Sequence, residues 1–523
     1  MSRHACETSS MPTTTSFQIT GTELPIEEVE RVALGGVQVE LAQSAKDRVV
    51  AARAVVDRAE SDELSTYGLN TGVGRFVDTH IPAGLTAELQ KRVLRSHAAG
   101  VGDPYPDEVV RAAHLLRINT LALGYSGVRL ELVDRMVAML NAGVLPFVPA
   151  RGSVGASGDL APLSHLCLPL VGEGHAFVDG ELKCAAEALS MRGLEPIELA
   201  SKEGLSLING TQFMTAMGIV FGLRARRLLR MADMVAALSV EALRGSDQPF
   251  LPQIHELRPH AGQKTSAANM LAAMQGSTIS DSHRWCDRVQ DAYSLRFAPQ
   301  VHGASRDALD HAMRIFQVEA QSVTDNPLVF PEEELLRSNG NFHGQPCAIS
   351  LDLMAIAVAE IANISERRTE RLVNPSLSGL PAFLVAEGGL NSGYMIAQYT
   401  AASLVSENKI YCHPASVDSI PTSAAQEDHV SMGNHAGLKL LRVIENAERV
   451  LAIELLCATQ GVDFLTPRRP GVGTRALHAA VRARVPYLEE DRILRDEIEQ
   501  VATLVSSAAF LDEVEQAAGI SIA

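Results

Sequence analysis

LKLLRVIENAERVLAIELLCATQ, residues 438–460, is the stretch from which the architecture can be read. Leu441, Ile444, Leu451 and Leu455 recur along it at helical spacing, and a second run of the same kind extends from Leu351 to Leu372. Both runs exceed the length of most globular helices. Long helices with Ala-rich faces and few aromatic residues bury those faces most simply against one another, so the spacing predicts a helical bundle. Composition agrees: apolar residues make up 46% of the chain, charged residues 20% and aromatics only 4%, a mix that favours helix over sheet. Such stripes are first of all core packing and carry no function by themselves.

Working outward from the bundle, the signal becomes mixed before Thr211. Strand-like pieces at Phe17 to Thr20 and Val37 to Leu41 alternate with helical runs such as Glu88 to Ser96, and Asp179-Gly180 between AFV and ELK predicts a hairpin. Residues 1–16 are rich in Ser and Thr with little apolar periodicity and read as a flexible tail. A chain of 523 residues exceeds what one core usually supports. The expected organisation is a tail over 1–16, a smaller mixed α/β part over 17–210 and a long-helix bundle over 211–523. No internal repeat of the length that builds a solenoid occurs.

Lys plus Arg number 45 against 62 Asp plus Glu, a formal charge of −17. With no basic run to grip a phosphate backbone, nucleic acid is not an expected partner. An anionic ligand then needs its own local cation. The seven cysteines (Cys6, Cys167, Cys184, Cys286, Cys347, Cys412 and Cys457) are scattered and include no C-x-x-C pair, so neither a disulfide framework nor a zinc site is expected. A reducing cytoplasm suits them. There is no apolar leader and no uninterrupted apolar stretch of about 18 residues, so neither secretion nor a membrane span is expected.

Chemistry concentrates in Gly152-Ser153-Val154-Gly155-Ala156-Ser157-Gly158-Asp159-Leu160-Ala161-Pro162-Leu163-Ser164-His165, where small residues bracket a single Ala-Ser-Gly. Glycine at 155 and 158 removes the Cβ clash that forbids sharp backbone approach, which allows the amide nitrogen of Gly158 to reach the carbonyl carbon of Ala156. Loss of water from Ser157 then leaves an exocyclic alkene. A second reading is a glycine-rich turn before a helix starting near Asp159, with Ser157 or Asp159 satisfying its first amides. A serine hydrolase is not supported, because Ser157 lies in no G-x-S-x-G elbow.

This Ala-Ser-Gly-Asp-Leu run, followed by Pro-Leu and Ser164-His165, resembles the signature of the aromatic amino-acid lyase family, and the resemblance extends from about Thr20 to Phe464 through several motifs in order. It implies a mainly α, fumarase/aspartase-like long-helix bundle, with the smaller mixed part carrying the loop. It also implies an electrophilic 4-methylideneimidazole-5-one ring (MIO) formed from Ala156, Ser157 and Gly158, without metal or external cofactor, and homotetramers whose active sites draw residues from three chains. Tyr67-Gly68-Leu69-Asn70-Thr71-Gly72-Val73-Gly74 resembles the family's tyrosine loop, with Val73 where Phe is usual, and implies Tyr67 as the catalytic base. A phenol, with an ordinary pKa of about 10, serves as base only where amides or cations stabilise its anion. Gln290-Asp291-Ala292-Tyr293-Ser294-Leu295-Arg296 resembles the segment that meets the substrate carboxylate, which assigns Gln290, Tyr293 and Arg296 to substrate binding; the planar fork of arginine suits a bidentate contact. Asn209-Gly210-Thr211-Gln212 implies Asn209 beside the ring and the substrate's amino group. Asp325-Asn326-Pro327 and Gly340-Asn341-Phe342-His343 resemble segments near the site, with Phe342 against the ring. Taken one at a time, each of these residues reads equally as an ordinary structural side chain.

Family members act on histidine, tyrosine or phenylalanine, and some relatives shift the amino group instead of expelling it. Ser96-His97-Ala98-Ala99-Gly100 resembles the histidine-type selectivity segment, although His97 can hydrogen-bond an imidazole or a phenol. Gln426-Glu427-Asp428-His429-Val430-Ser431-Met432 places Glu427 where phenylalanine and tyrosine enzymes typically carry Gln. A buried carboxylate facing a plain phenyl ring lacks a partner, at a cost of about 1–3 kcal/mol or more, so Glu427 favours imidazole. Met395 is implied to line the imidazole pocket, while Tyr394 stands where Phe is usual and Gln345 where Glu is often found. The expected reaction is the non-oxidative deamination of L-histidine to trans-urocanate and ammonia. The alternatives are a tyrosine or phenylalanine ammonia-lyase, an aromatic aminomutase and, from another class, a non-catalytic helical scaffold.

Overall fold

The computed structural model describes residues 16–60, 71–72, 76, 78–283 and 289–523. Tyr67, Val73, Cys6 and Cys286 lie outside the described residues. Among the described residues there are 21 α-helices, and the strands make only four small sheets of two or three strands. The protein is mainly α, as the spacing of its apolar residues implies.

The helices that position the site are α1 (Thr86–His97), α2 (Asp107–Ala122), α3 (Leu160–Cys167), α4 (Gln212–Ala242), α5 (Ala298–Ala320), α6 (Gln345–Val373), α7 (Met395–Tyr411) and α8 (Gly433–Asp463). The stretch at 438–460 falls inside α8, and Leu351 to Leu372 falls inside α6. Helix α4 is buried along most of its length, with Arg224, Arg226, Arg227 and Arg230 only half-buried, the pattern of a helix that threads a core and reaches the surface along one stretch. Its glycines mark where a neighbour presses on it. A Cβ on Gly218 would lie 2.2 Å from the Phe316 ring, and one on Gly222 would lie 2.1 Å from the Met313 sulfur, both on α5.

The chain divides into two compact units. One comprises residues 1–220, 315–348 and 416–434, the other 221–314, 349–415 and 435–523. The change of pattern near residue 210 predicts a single boundary; the units instead interleave, and four of the crossings fall inside α4, α5, α6 and α8. A helix running through a crossing leaves no loop composition to mark it.

In the first unit, β1 (Ser16–Ile19) pairs in parallel with β2 (Gln38–Leu41). Strands β3 (His175–Val178) and β4 (Glu181–Cys184) form the expected hairpin, with Asp179 at φ 51° and Gly180 at φ 81°, the left-handed pair that a two-residue turn requires. Helix α2 is buried along nearly its whole length and carries His114, Arg117, Asn119 and Thr120 into the interior. In the second unit, the fully buried Glu454 of α8 accepts from Ser239 of α4 at 2.6 Å and pairs with Arg368 of α6. Three helices thus share one carboxylate, which answers the desolvation of both charges. Helix α6 is long and apolar enough to cross a membrane, but 67% of its most apolar window is buried within the protein, the placement of a core helix.

Candidate active site

Gly152, Gly155 and Gly158 adopt φ values of 141°, 73° and 75°, a region in which side chains are strained. A Cβ on Gly158 would meet the Gly210 carbonyl oxygen at 2.0 Å, and one on Gly155 would meet the Ser431 hydroxyl at 2.1 Å. At Gly158 the crowding is made by backbone, at Gly155 by the Ser431 side chain. Gly158 forms a parallel bridge with Gly210, and the Asp159 N–H donates to the Gly210 carbonyl at 2.7 Å. Opposite, the Met432 N–H donates to the Val154 carbonyl at 2.9 Å and the Ser431 hydroxyl to the Gly155 carbonyl at 3.2 Å. The Ala156-Ser157-Gly158 loop is therefore pinned between residues 209–211 and 431–432.

Asp159 sits at the N-cap of α3 yet makes no side-chain cap there. Its carboxylate accepts instead from the Met214 N–H, at 2.9 Å, in the first turn of α4. The loop is thereby more than a helix-capping turn. Burial raises the Asp159 carboxyl to about 7, against the opposing pull of the Met214 and Phe213 amides and the Ser153 hydroxyl. Ser157 is half-buried, and its hydroxyl donates to Glu427 Oε1 at 3.0 Å. The second Glu427 oxygen accepts from the Thr422 hydroxyl at 2.7 Å, beside a backbone bridge between the same two residues.

His97 is the last residue of α1. Its Nδ1 lies 2.8 Å from the Val93 carbonyl, which can only accept, so the proton is assigned to Nδ1 and Nε2 of the neutral ring is an acceptor. The segment after it is held by the signature run itself. His165 Nε2 accepts from the Gly100 N–H at 3.1 Å, and the Ser164 hydroxyl donates to the Leu94 carbonyl. Burial lowers the His165 pKa, which favours the neutral acceptor this bond needs. Asn209 is 2% exposed; its Nδ2 donates to the Asn326 carbonyl at 3.3 Å, and its buried Oδ1 has no partner among the described residues. Below it the fully buried Lys202 and Asp325 pair at 3.3 Å. Phe342 is half-buried in the turn before α6, and a Cβ on Gly344 would lie 3.0 Å from Ser431 Oγ, so this turn backs the same loop.

Gln290, Tyr293, Arg296 and Met395 belong to the second unit, Gln345 to the first. Gln290 is exposed and Tyr293 is 67% exposed, its ring stacked on Phe297 at 4.4 Å. The Arg296 guanidinium lies 5.3 Å and 4.9 Å from the centroids of these two rings, with its buried Nε unpartnered among the described residues. Met395 is the first residue of α7 and half-buried. Tyr394 beside it is fully buried, and burial pushes its pKa up; it belongs to the interior of its unit. Gln345 donates to the Ser416 carbonyl at 3.1 Å. Sequence reasoning missed Arg117, Glu319 and the holding role of His165, because a buried charge on a helix shows no pattern before its partners are known.

The long-helix fold and the pinned Ala-Ser-Gly loop are those of a carbon–nitrogen lyase. Residues 24–483 match the family described as aromatic amino acid lyase, and the chain belongs to that family. It is 55% identical over 501 residues to the histidine ammonia-lyase of Gloeobacter violaceus, covering 95% of this chain and 97% of that one. The crystal structure of histidine ammonia-lyase from Trypanosoma cruzi superposes with a TM-score of 0.89 at 46% identity, covering 96% of each chain. Tyrosine aminomutase from Streptomyces globisporus superposes at 0.92 with 38% identity, over 98% of this chain and all of that one. Shape alone thus does not separate the two reactions.

Proposed function

We propose that this protein removes ammonia from L-histidine to give trans-urocanate, using an MIO ring formed from Ala156, Ser157 and Gly158. The observation that carries this reading is the Ser157 hydroxyl lying 3.0 Å from the Glu427 carboxylate on a glycine-pinned loop. This contact between Ser157 and the acidic residue of the histidine-type motif supports reading Glu427 as a neighbour of the ring. The loop fits the ring. Its glycines leave no room for side chains, and the orphaned Asn209 Oδ1 is a buried acceptor beside Gly210. The ring supplies an electrophile that turns the amino group into a leaving group.

The chain's own residues do the rest. Tyr67, outside the described residues, removes the β-proton. Arg296, with Tyr293 and Gln290, holds the carboxylate and fixes the β-carbon, which reduces the orientational barrier. Nε2 of His97 accepts from one N–H of the protonated substrate imidazole and the Glu427 carboxylate accepts from the other, while Met395 and Phe342 supply apolar walls. Asn209 faces the amino group. Supporting the assembly as a homotetramer with shared sites is the exposure of Tyr293, beside an Arg296 Nε that has no partner among the described residues. The free buried thiols Cys167, Cys347 and Cys457 fit a reducing cytoplasm.

Incubation with histidine, tyrosine and phenylalanine separately, with the ultraviolet absorbance of each conjugated acid followed, tests the reading. Urocanate from histidine alone is expected. Coumarate or cinnamate, or a β-amino acid from any of the three, overturns the substrate assignment.

A further inference from the structure

The strap Asn209-Gly210-Thr211 presses on the loop but is itself held from behind. Arg117, fully buried on α2, donates through Nη1 to the Asn209 carbonyl at 2.8 Å and to Gln212 Oε1 at 3.0 Å, and through Nη2 to the Ser206 carbonyl. Gln212 is fixed in turn by Thr120 at 3.1 Å and Thr324 at 2.9 Å. On the other flank the Thr211 hydroxyl, 1% exposed, donates to Glu319 Oε2 of α5 at 2.8 Å. Gly210 lies between these anchors, and a Cβ on it would meet Gln212 Oε1 at 2.5 Å, Thr324 Oγ1 at 2.7 Å and Arg117 Nη1 at 2.8 Å. It has no room to retreat when Gly158 presses on its carbonyl oxygen.

We infer that Arg117 and Glu319 are positioning residues for ring formation: they clamp the strap on either side of Gly210 so that Gly158 is held against Ala156. Neither touches residues 156–158. The inference rests on the MIO reading above and concerns how the ring is made. Forming it joins the Gly158 nitrogen to the Ala156 carbonyl carbon. The carbonyl oxygen leaves as water with the amide hydrogens of Gly158 and Ser157, and a C=N bond remains between Ala156 and Ser157. A second water takes the Ser157 hydroxyl and its Cα hydrogen and leaves the exocyclic alkene. No oxidant is involved. Both steps need the loop bent, and a bent loop relaxes unless something stiff stands behind it.

The clamp predicts a maturation defect, visible by mass and separable from turnover. Intact mass is followed through a cell-free synthesis time course of the full chain, where maturation appears as the loss of two waters. Thr211→Val removes the hydroxyl that reaches Glu319 while keeping the side chain's shape, and is expected to mature about tenfold more slowly. Thr211→Ser restores the hydroxyl and the wild-type rate. Arg117→Lys, which cannot span two acceptors with a planar fork, is expected to be slow as well. Far-ultraviolet circular dichroism and cooperative melting check that each variant is folded; if Arg117→Lys fails there, the Thr211 pair decides alone. Thr211→Val maturing at the wild-type rate overturns the clamp, as does equal slowing in Thr211→Ser. A wild-type chain that never loses two waters sinks the ring reading itself, a different result.

Discussion

Glu427 holds two hydroxyls at once, that of Ser157 and that of Thr422, so changes here separate chemistry from folding. Ser157→Ala is expected to show no two-water mass loss and almost no deamination, while its stability stays within about 1 kcal/mol of wild type by thermal melting. Glu427→Gln keeps an acceptor but loses the charge, and histidine turnover is expected to fall by roughly 10–100-fold, the worth of about 1.5–3 kcal/mol in a charge-assisted hydrogen bond. Away from the site, Glu241 is raised from 4.5 to about 7 by burial, although the Gly471 amide donates to it at 2.8 Å. The folded chain keeps a proton that the unfolded chain gives up above 4.5, so stability falls as pH rises through the interval from 4.5 to about 7 and stays reduced above it. Asp159, raised to about 7, adds a fall of the same sign. Glu241→Gln is expected to flatten the decline in Tm over that interval; an undiminished slope contradicts the assignment. Of these residues the loop glycines and Glu427 were legible in the sequence, because their types restrict what they can do. Arg117, Glu319 and Glu241 were not, since a charged residue on a helix reads as solvated until its partners are known.

At the scale of elements, the close approach of α4 and α5 decides a contest between propensity and packing. Gly218→Ala gains about 1 kcal/mol in helix propensity. The new Cβ would stand 2.2 Å from the Phe316 ring, and overpacking of that kind costs roughly 1–3 kcal/mol. Packing wins because the obstacle is a rigid ring. A net loss of about 1 kcal/mol is expected by denaturant melting, with Gly218→Ala plus Phe316→Leu less destabilised than the two single changes summed. Element legibility followed length. The 438–460 run lies within α8, and the hairpin at Asp179-Gly180 stands where its turn residues put it. The pairing of Val101–Pro104 with Pro149–Arg151 and the hairpin of Leu328–Phe330 with Leu335–Arg337 went unread, because strands of three or four residues give a period-two pattern too few repeats to register.

At the scale of the whole molecule, the reading of shared sites is tested by complementation. Ser157→Ala and Arg296→Ala chains are each expected to be inactive alone and to regain activity when co-expressed, because some sites then receive an intact loop from one chain and an intact arginine from another. Co-expressed chains as inactive as either parent count against sharing, and size-exclusion chromatography with light scattering checks that tetramers formed. The helical architecture was legible because long apolar stripes admit few other packings. The interleaving of the two units was not, because α4, α5, α6 and α8 run unbroken through the crossings, and a sequence marks boundaries only where helices stop.

The loop's dependence on residues 427–432 also fixes when the protein can finish itself. Ser157 and Glu427 are 270 positions apart, and ribosomes add roughly 5–20 residues per second, so the loop waits roughly 15–50 s after it is made. The far wall has not been synthesised during that time. Chains arrested before Glu427 are expected to retain both waters by mass, and release of the later segment starts the clock, so ring closure is timed by the chain's own length.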